Sequence, residues 1–81
     1  MIDVQTAVKA AVAYVREFQE LIPPREIRLE ETDHTDSGDW LITLSFLESP
    51  ITGMRSYKVF RINGATGAVL SMKSRSLASA R

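Results

Sequence analysis

The segment DHTDSGD, residues 33–39, holds the side chains of this chain that could most readily do chemistry. Asp33, Asp36 and Asp39 offer carboxylate oxygens, which are the ligands that Ca²⁺ prefers, and His34 is the only histidine. A ligand- or metal-binding protein that uses this acidic loop is one prediction. The other is a polar hairpin tip, because Asp, Ser and Gly commonly satisfy the backbone amides of a turn.

The spacing of an EF-hand calcium loop separates these two predictions. Gly38 stands at the sixth position, where an EF-hand loop also has glycine. Thr35 and Ser37 occupy the third and fifth ligand positions, and Leu44 occupies the twelfth, where a bidentate glutamate belongs. The mismatch favours the hairpin tip, so we expect no metal ligand here and keep the acidic loop as the alternative.

The residues that enzymes use do not form a coherent set. The chain has no cysteine, which removes thiolate nucleophiles, disulfides and cysteine-ligated zinc, and it has no G-x-S-x-G motif. His34 is the first candidate for a general base, but it lies in a polar loop rather than on the rigid scaffold that catalysis requires. We expect a noncatalytic protein without a cofactor.

A second glycine-containing segment, NGATG at residues 63–67, could cradle a phosphate. Nucleotide-binding loops lead from a strand into a helix whose N-terminus faces the phosphate, whereas another β-pattern follows here. Asn63, Gly64, Thr66 and Gly67 instead supply residues that tolerate positive φ. The segment therefore predicts a hairpin loop of about five residues with a bulge.

A helix precedes these loops in the chain. After Asp3, a good N-cap, apolar residues recur every three or four positions as far as Ile22. Pro23 and Pro24 then end the pattern, because proline lacks the amide that a helix needs and restricts the residue before it. The sequence predicts a helix over about residues 4–21.

Four β-patterns follow the helix, at residues 26–32, 40–47, 55–62 and 68–73. Their connections are too short for parallel crossovers, so the strands must be antiparallel. The predicted fold class is α+β, with one N-terminal helix packed on a four-stranded antiparallel meander in the order α-β-β-β-β. We expect a single domain at residues 1–73 and a disordered tail at residues 74–81, where no period continues.

Acidic and basic side chains are distributed unevenly along this 81-residue chain, although its formal net charge is zero. Residues 1–50 carry four basic and ten acidic side chains, a balance of −6, whereas residues 51–81 carry six basic side chains and no acid, a balance of +6. Clustered cations can bind anions, but in one small domain the two segments lie against each other. We therefore expect the charges to pair across strands, and we expect no nucleic-acid partner.

Apolar side chains on both faces of the predicted sheet indicate a binding surface. One face of residues 40–47 predicts the core, through Trp40, Ile42, Leu44 and Phe46. In residues 55–62 both faces carry apolar bulk, since Tyr57 and Val59 have one parity and Phe60 and Ile62 the other. Either that strand is bulged, or a homodimer or partner protein partly covers the second face, or the face is a mixed and exposed one.

The leading functional prediction is a small noncatalytic protein-interaction module, inhibitory or regulatory, whose open sheet face meets a partner protein or a second copy of the chain. The predicted partner-binding residues are Tyr57, Val59, Leu41, Leu47, Arg55 and Arg61. The N-terminal segment lacks the basic start and uninterrupted apolar stretch of a signal peptide, so we expect a cytoplasmic protein with no membrane partner.

The stretch YKVFRINGATGAVL, residues 57–70, resembles PepSY domains, a family of domains first described in peptidase propeptides. The matching positions are Tyr57, Val59, Thr66, Gly67, Val69 and Leu70, and Asn63 stands where those domains usually have an acidic residue. The helix followed by strands fits the same plan over most of residues 3–73. The resemblance implies a noncatalytic module that inhibits or regulates a partner, and immunity proteins that block a toxin are similar in plan.

Overall fold

The computed structural model describes residues 1–18, 25–47 and 55–75 of the chain. One helix precedes four strands that form a single antiparallel sheet in the order β1-β2-β3-β4, so the predicted α+β meander is confirmed. The elements are α1 (Val4–Phe18), β1 (Arg25–His34), β2 (Trp40–Leu47), β3 (Arg55–Ile62) and β4 (Val69–Arg75).

Helix α1 begins where the sequence predicts. An Asp3 carboxylate oxygen accepts a hydrogen bond from the Thr6 amide at 2.8 Å, which satisfies one of the unpaired amides of the first turn. The same hydrogen bond is the main reason that the pKa of Asp3 lies below its usual value. The predicted extension to residue 21 and the stop at Pro23 and Pro24 lie outside the described residues.

The core lies between α1 and the two central strands. Ala7, Ala11 and Val15 recur every four residues along one stripe of α1, and the two alanines are fully buried, so the helix backbone lies close to the sheet. The sequence pattern did not single out Ala7. The sheet contributes the remaining buried side chains, which are Ile42, Leu44, Phe46, Phe60 and Ile62, with Trp40 partly buried beside them.

The pairing between β2 and β3 is continuous, from Trp40 opposite Ile62 to Leu47 opposite Arg55. A bulge between these strands, one explanation for the two-sided apolar pattern, is therefore absent. Irregular pairing occurs instead in the outer strands. β1 has two register shifts against β2, and the pairing of β3 with β4 shifts once, beside the hairpin loop.

Strand β4 ends at Arg75, so residues 74 and 75, which the sequence places in the tail, are paired strand residues. The rest of the predicted tail lies outside the described residues. Within the described residues, no helix combines the length and the apolar character that a membrane crossing requires.

Candidate interaction face

The face of the sheet opposite α1, called the open face below, carries all six residues that the sequence singles out for binding. In an antiparallel sheet, directly opposed residues point to the same side, so the register fixes the membership of this face. Its central side chains are Leu41, Thr43, Ser45 and Leu47 of β2, which stand opposite Arg61, Val59, Tyr57 and Arg55 of β3 respectively. Within the described residues only α1 packs on the sheet, and it packs on the other face.

Four apolar side chains form a zigzag across the middle of the open face. Leu41 and Val59 are diagonal neighbours, as are Leu47 and Tyr57, and all four are half-buried. Phe60, next to Val59 in the chain, is fully buried on the α1 side. The sheet therefore has one face whose apolar side chains are fully buried and one face whose apolar side chains are half-buried.

Arg55 links three strands of the sheet by hydrogen bonds at one end of the open face. Its Nη2 donates to the Ser45 hydroxyl at 3.0 Å and to the Glu26 carbonyl oxygen at 2.5 Å. The Ser45 hydroxyl in turn donates to the Glu30 carboxylate at 2.6 Å. Ser45 is fully buried, and these contacts satisfy its polar atom. The network runs from β3 across β2 to β1.

Arg75 makes a second crossing that starts from the opposite edge of the sheet. Its Nη1 donates to the Glu31 carboxylate on β1 and to the Thr43 hydroxyl on β2 at 3.3 Å. The side chain therefore extends over β3, where its aliphatic part covers apolar surface. Thr43 is only 4% exposed. The sequence pattern does not single out Arg75, because no period continues into residues 74–81.

Arg61 connects the open face to the loop between β1 and β2. Its Nε donates to the Asp39 carboxylate at 2.9 Å, and its Nη2 donates to the Ser37 hydroxyl at 2.9 Å. The other Asp39 oxygen accepts from the Gly64 amide at 3.3 Å. The hydrogen bond from Arg61, followed by the one from Gly64, holds the pKa of Asp39 below its usual value.

The expected pairing of the acidic and basic halves of the chain is found in part, as two ion pairs among the described residues. The Arg61–Asp39 and Arg75–Glu31 ion pairs each join a basic residue of the second half to an acidic residue of the first. Arg55 reaches the first half through Glu26 and Ser45. Arg55 and Arg61 are thus held in place by the protein itself, at the border of the apolar zigzag.

The acidic loop does not gather its carboxylates around a common point. Asp39 is turned toward Arg61, and an Asp33 oxygen accepts from the adjacent His34 amide at 2.8 Å. The His34 ring lies against the Trp40 ring, with centroids 4.6 Å apart. No group of three or more His, Asp or Glu side chains among the described residues, which include the whole loop, is arranged to hold a metal ion.

The NGATG segment forms the predicted hairpin loop between β3 and β4. The Asn63 side-chain oxygen accepts from the Ala65 and Thr66 amides, and the Gly67 amide donates to the Asn63 carbonyl oxygen at 2.8 Å. Gly67 has a φ of 81°, as such a turn requires. Asn63, Gly64 and Thr66 do not have positive φ, so within this loop the tolerance for positive φ is used at Gly67.

Gly64 is instead required by a close approach between two loops. A Cβ atom at this position would lie 1.7 Å from the carbonyl oxygen of Gly38, in the loop between β1 and β2. The Gly64 carbonyl oxygen also accepts from the Ile2 amide at 2.7 Å. No pattern within either loop signals this contact, since it depends on how the two hairpins meet.

Comparisons of this chain with protein-family models, curated proteins and solved structures found no match. The resemblance to PepSY domains therefore stays a prediction from the residues of the β3–β4 hairpin.

Proposed function

We propose that the protein is a small noncatalytic protein-interaction module, and that its open face contacts a partner protein that it inhibits or regulates. One observation carries the proposal: the apolar zigzag lies on a face that no described element covers. Further burial of these half-buried side chains would stabilise a complex by roughly 25 cal/mol per Å² of apolar area.

The composition of the open face supports the same proposal. Tyrosine and arginine are enriched in protein interfaces, and the central energetic contacts commonly have a polar border that excludes water. Tyr57 provides the aromatic centre, and Arg55 and Arg61 provide the border. Because hydrogen bonds already hold both arginines, they lose less side-chain freedom on binding than unrestrained arginines would. The inhibitory or regulatory role rests on the resemblance to PepSY domains.

Photo-cross-linking in the cells that make the protein tests this proposal. A benzophenone amino acid in place of Tyr57 puts a larger, photoreactive aromatic group in the apolar zigzag. The matched control carries the same group at Lys9, which is exposed on α1. Circular dichroism of both purified variants establishes that each is folded.

We expect illumination to join the position-57 variant to one protein in a specific adduct, and the position-9 variant to give no such adduct. Mass spectrometry of the adduct identifies the partner. A folded position-57 variant that forms no adduct, or forms the same adducts as the position-9 control, would contradict the proposal.

A further inference from the structure

The charges on the open face are ordered across the strands. The acidic side chains lie toward β1, and the basic ones lie on β3 and β4. On β1 the face carries Glu30, Glu31 and Asp33, together with Arg28, which pairs with Glu26 at 3.6 Å. The basic side chains are Arg55, Arg61, Lys73 and Arg75. Arg61 and Arg75 pair with acids of the same chain, and the Arg75 guanidinium reaches across to Glu31 on β1. On the outer strands, the charged side chains without an ion pair among the described residues are Glu30 and Asp33 on β1 and Lys73 on β4, so the open face keeps a negative edge at β1 and a positive edge at β4.

We infer that the partner of the open face is a second copy of this chain, packed face to face about a twofold axis parallel to the strands. In that arrangement β1 of each copy lies over β4 of the other, so each negative edge meets a positive edge. The inference rests on the proposed function, because it names the occupant of the same face.

Symmetry and charge together select this axis. Two copies of a sheet can meet face to face about a twofold axis that runs either along the strands or across them. An axis across the strands places β1 over β1 and β4 over β4, so like charges oppose each other at both edges. Like-charge contacts disfavour a complex, whereas complementary ones favour and orient it. Only the axis along the strands makes both edges complementary at once.

Two charged side chains near the edges, Lys73 and Asp33, attract each other across the interface of this dimer. Lys73 stands opposite Val59 and makes no hydrogen bond or ion pair with any described residue, and among the same residues the Asp33 carboxylate accepts only from the next amide of its own strand. Within one chain Lys73 and Asp33 lie on opposite outer strands, three strand spacings or about 14 Å apart, a distance that Arg75 spans to reach Glu31 but that Lys73 does not span. In the dimer, Lys73 of one copy lies over β1 of the other copy, close to the position of Asp33. The two side chains are then within reach of each other.

The size of the face indicates whether the dimer is permanent or reversible. Four strands of about eight residues cover a flat area of roughly 500 Å². Specific interfaces of ordinary size bury about 800 Å² per partner. The face is therefore small for a permanent interface, and we expect a reversible dimer.

Charge-reversal variants measured by sedimentation equilibrium over a range of concentrations test the inference. We expect Lys73→Glu to raise the dissociation constant about tenfold, since it replaces two attractive contacts of the dimer by repulsive ones. Asp33→Lys should have a similar effect. The double variant Lys73→Glu/Asp33→Lys should return to within about threefold of the original, because it restores the attraction between positions 73 and 33 with the signs exchanged. Lys9→Glu is the control of equal charge change on α1 and should leave dimerisation unchanged.

Three results would overturn the inference. A strengthened dimer in Lys73→Glu would indicate the axis across the strands, where this residue opposes the basic edge of the other copy. A dissociation constant that none of the variants changes would place the contact elsewhere, for example along the outer edge of β4. A strict monomer at every concentration would exclude the dimer altogether.

The cross-linking experiment separates failure of the dimer from failure of the proposed function. An adduct from position 57 with twice the mass of the chain supports both. An adduct with a different protein, together with a strict monomer in sedimentation, overturns the dimer and leaves the interaction module intact.

Discussion

Gly64 lies between the two loops at one end of the sheet, and the lack of a side chain allows them to meet. The carbonyl oxygen of Gly38 would be 1.7 Å from a Cβ atom at this position, so any other residue must displace backbone. At Gly67, three residues further on, a Cβ atom would make only an ordinary contact of 3.8 Å with the Ile2 Cδ1, and the restriction is the φ of 81°. Two glycines of one loop are thus needed for different reasons.

We expect Gly64→Ala to lower the free energy of unfolding by about 2 kcal/mol or more, because a backbone clash cannot be relieved by a side-chain rotation. Gly67→Ala is the matched comparison and should cost about 1 kcal/mol through backbone strain alone. Urea denaturation measures both. A Gly64→Ala variant with the midpoint of the wild type would show that the two loops do not touch.

Asp39 gives the protein a predictable dependence on pH. Its folded-state pKa is lowered from the usual value of 3.8, first by the hydrogen bond from Arg61 and then by the Gly64 amide. Near that pH the unfolded chain binds more protons at this site than the folded protein does, so stability rises with pH. The contribution is complete above the unfolded pKa and is lost as the pH falls through the lowered folded pKa.

We therefore expect Asp39→Asn to reduce stability most above about pH 5, and the difference from wild type to shrink as the pH falls below the usual aspartate value. Urea denaturation at a series of pH values measures the difference. In an Arg61→Met background the Asp39→Asn difference should also shrink, because the main cause of the lowered pKa is gone. A difference that stays constant from neutral to acid pH would contradict the assignment.

At the scale of elements, the central strands could be predicted to the residue and the outer strands could not. The predicted spans 40–47 and 55–62 coincide with β2 and β3, because β-branched and aromatic side chains run through both spans and polar or turn residues flank them. β1 and β4 extend two residues beyond the predicted ends at 32 and 73. Exposed polar residues pair at those ends without an apolar signal to mark them.

The shared face of the six predicted binding residues also follows from alternation, whereas the network around them does not. Glu30 lies at a register shift of β1, between residue pairs that are otherwise regular, and its carboxylate reaches Ser45. Arg55 and Arg75 reach across neighbouring strands. Such contacts depend on register and on long side chains, which periodicity in a single strand cannot specify.

The Arg55 network should contribute measurably to stability. Arg55→Met keeps most of the aliphatic side chain but leaves the fully buried Ser45 hydroxyl without its donor, so we expect a loss of about 1–2 kcal/mol in the free energy of unfolding. Arg28→Met is the control, because its ion pair is loose and exposed, and it should change stability by less than about 0.5 kcal/mol. Equal effects of the two substitutions would show that the network adds nothing to an ordinary surface pair.

At the scale of the whole molecule, the two faces of the sheet differ in how much they contribute to folding. The face against α1 holds the fully buried apolar side chains, and the open face holds half-buried ones within an ionic network. A domain of this length is stable by only about 4–12 kcal/mol, so it depends on nearly all of its single core. The open face can therefore change with less cost to folding than the α1 face can.

Val59 and Phe60 are adjacent in the chain and point to opposite faces, so they test this division directly. Phe60→Ala removes a fully buried ring that packs edge-on against Tyr14, and we expect a loss of about 3–5 kcal/mol, enough to unfold much of the population. Val59→Ala removes two methyl groups from a half-buried side chain and should cost about 1 kcal/mol. Thermal denaturation measures both losses.

The substitutions at Val59 and Phe60 also distinguish an effect on folding from an effect on dimerisation. Val59→Ala should remain folded yet raise the dissociation constant of the dimer several-fold, because the lost methyl groups belong to the apolar zigzag that the second copy covers. Sedimentation of this variant at concentrations where the wild type is dimeric measures the change. If Val59→Ala destabilised the fold as much as Phe60→Ala does, the open face would be a second core of the monomer, and it would not be available to a partner.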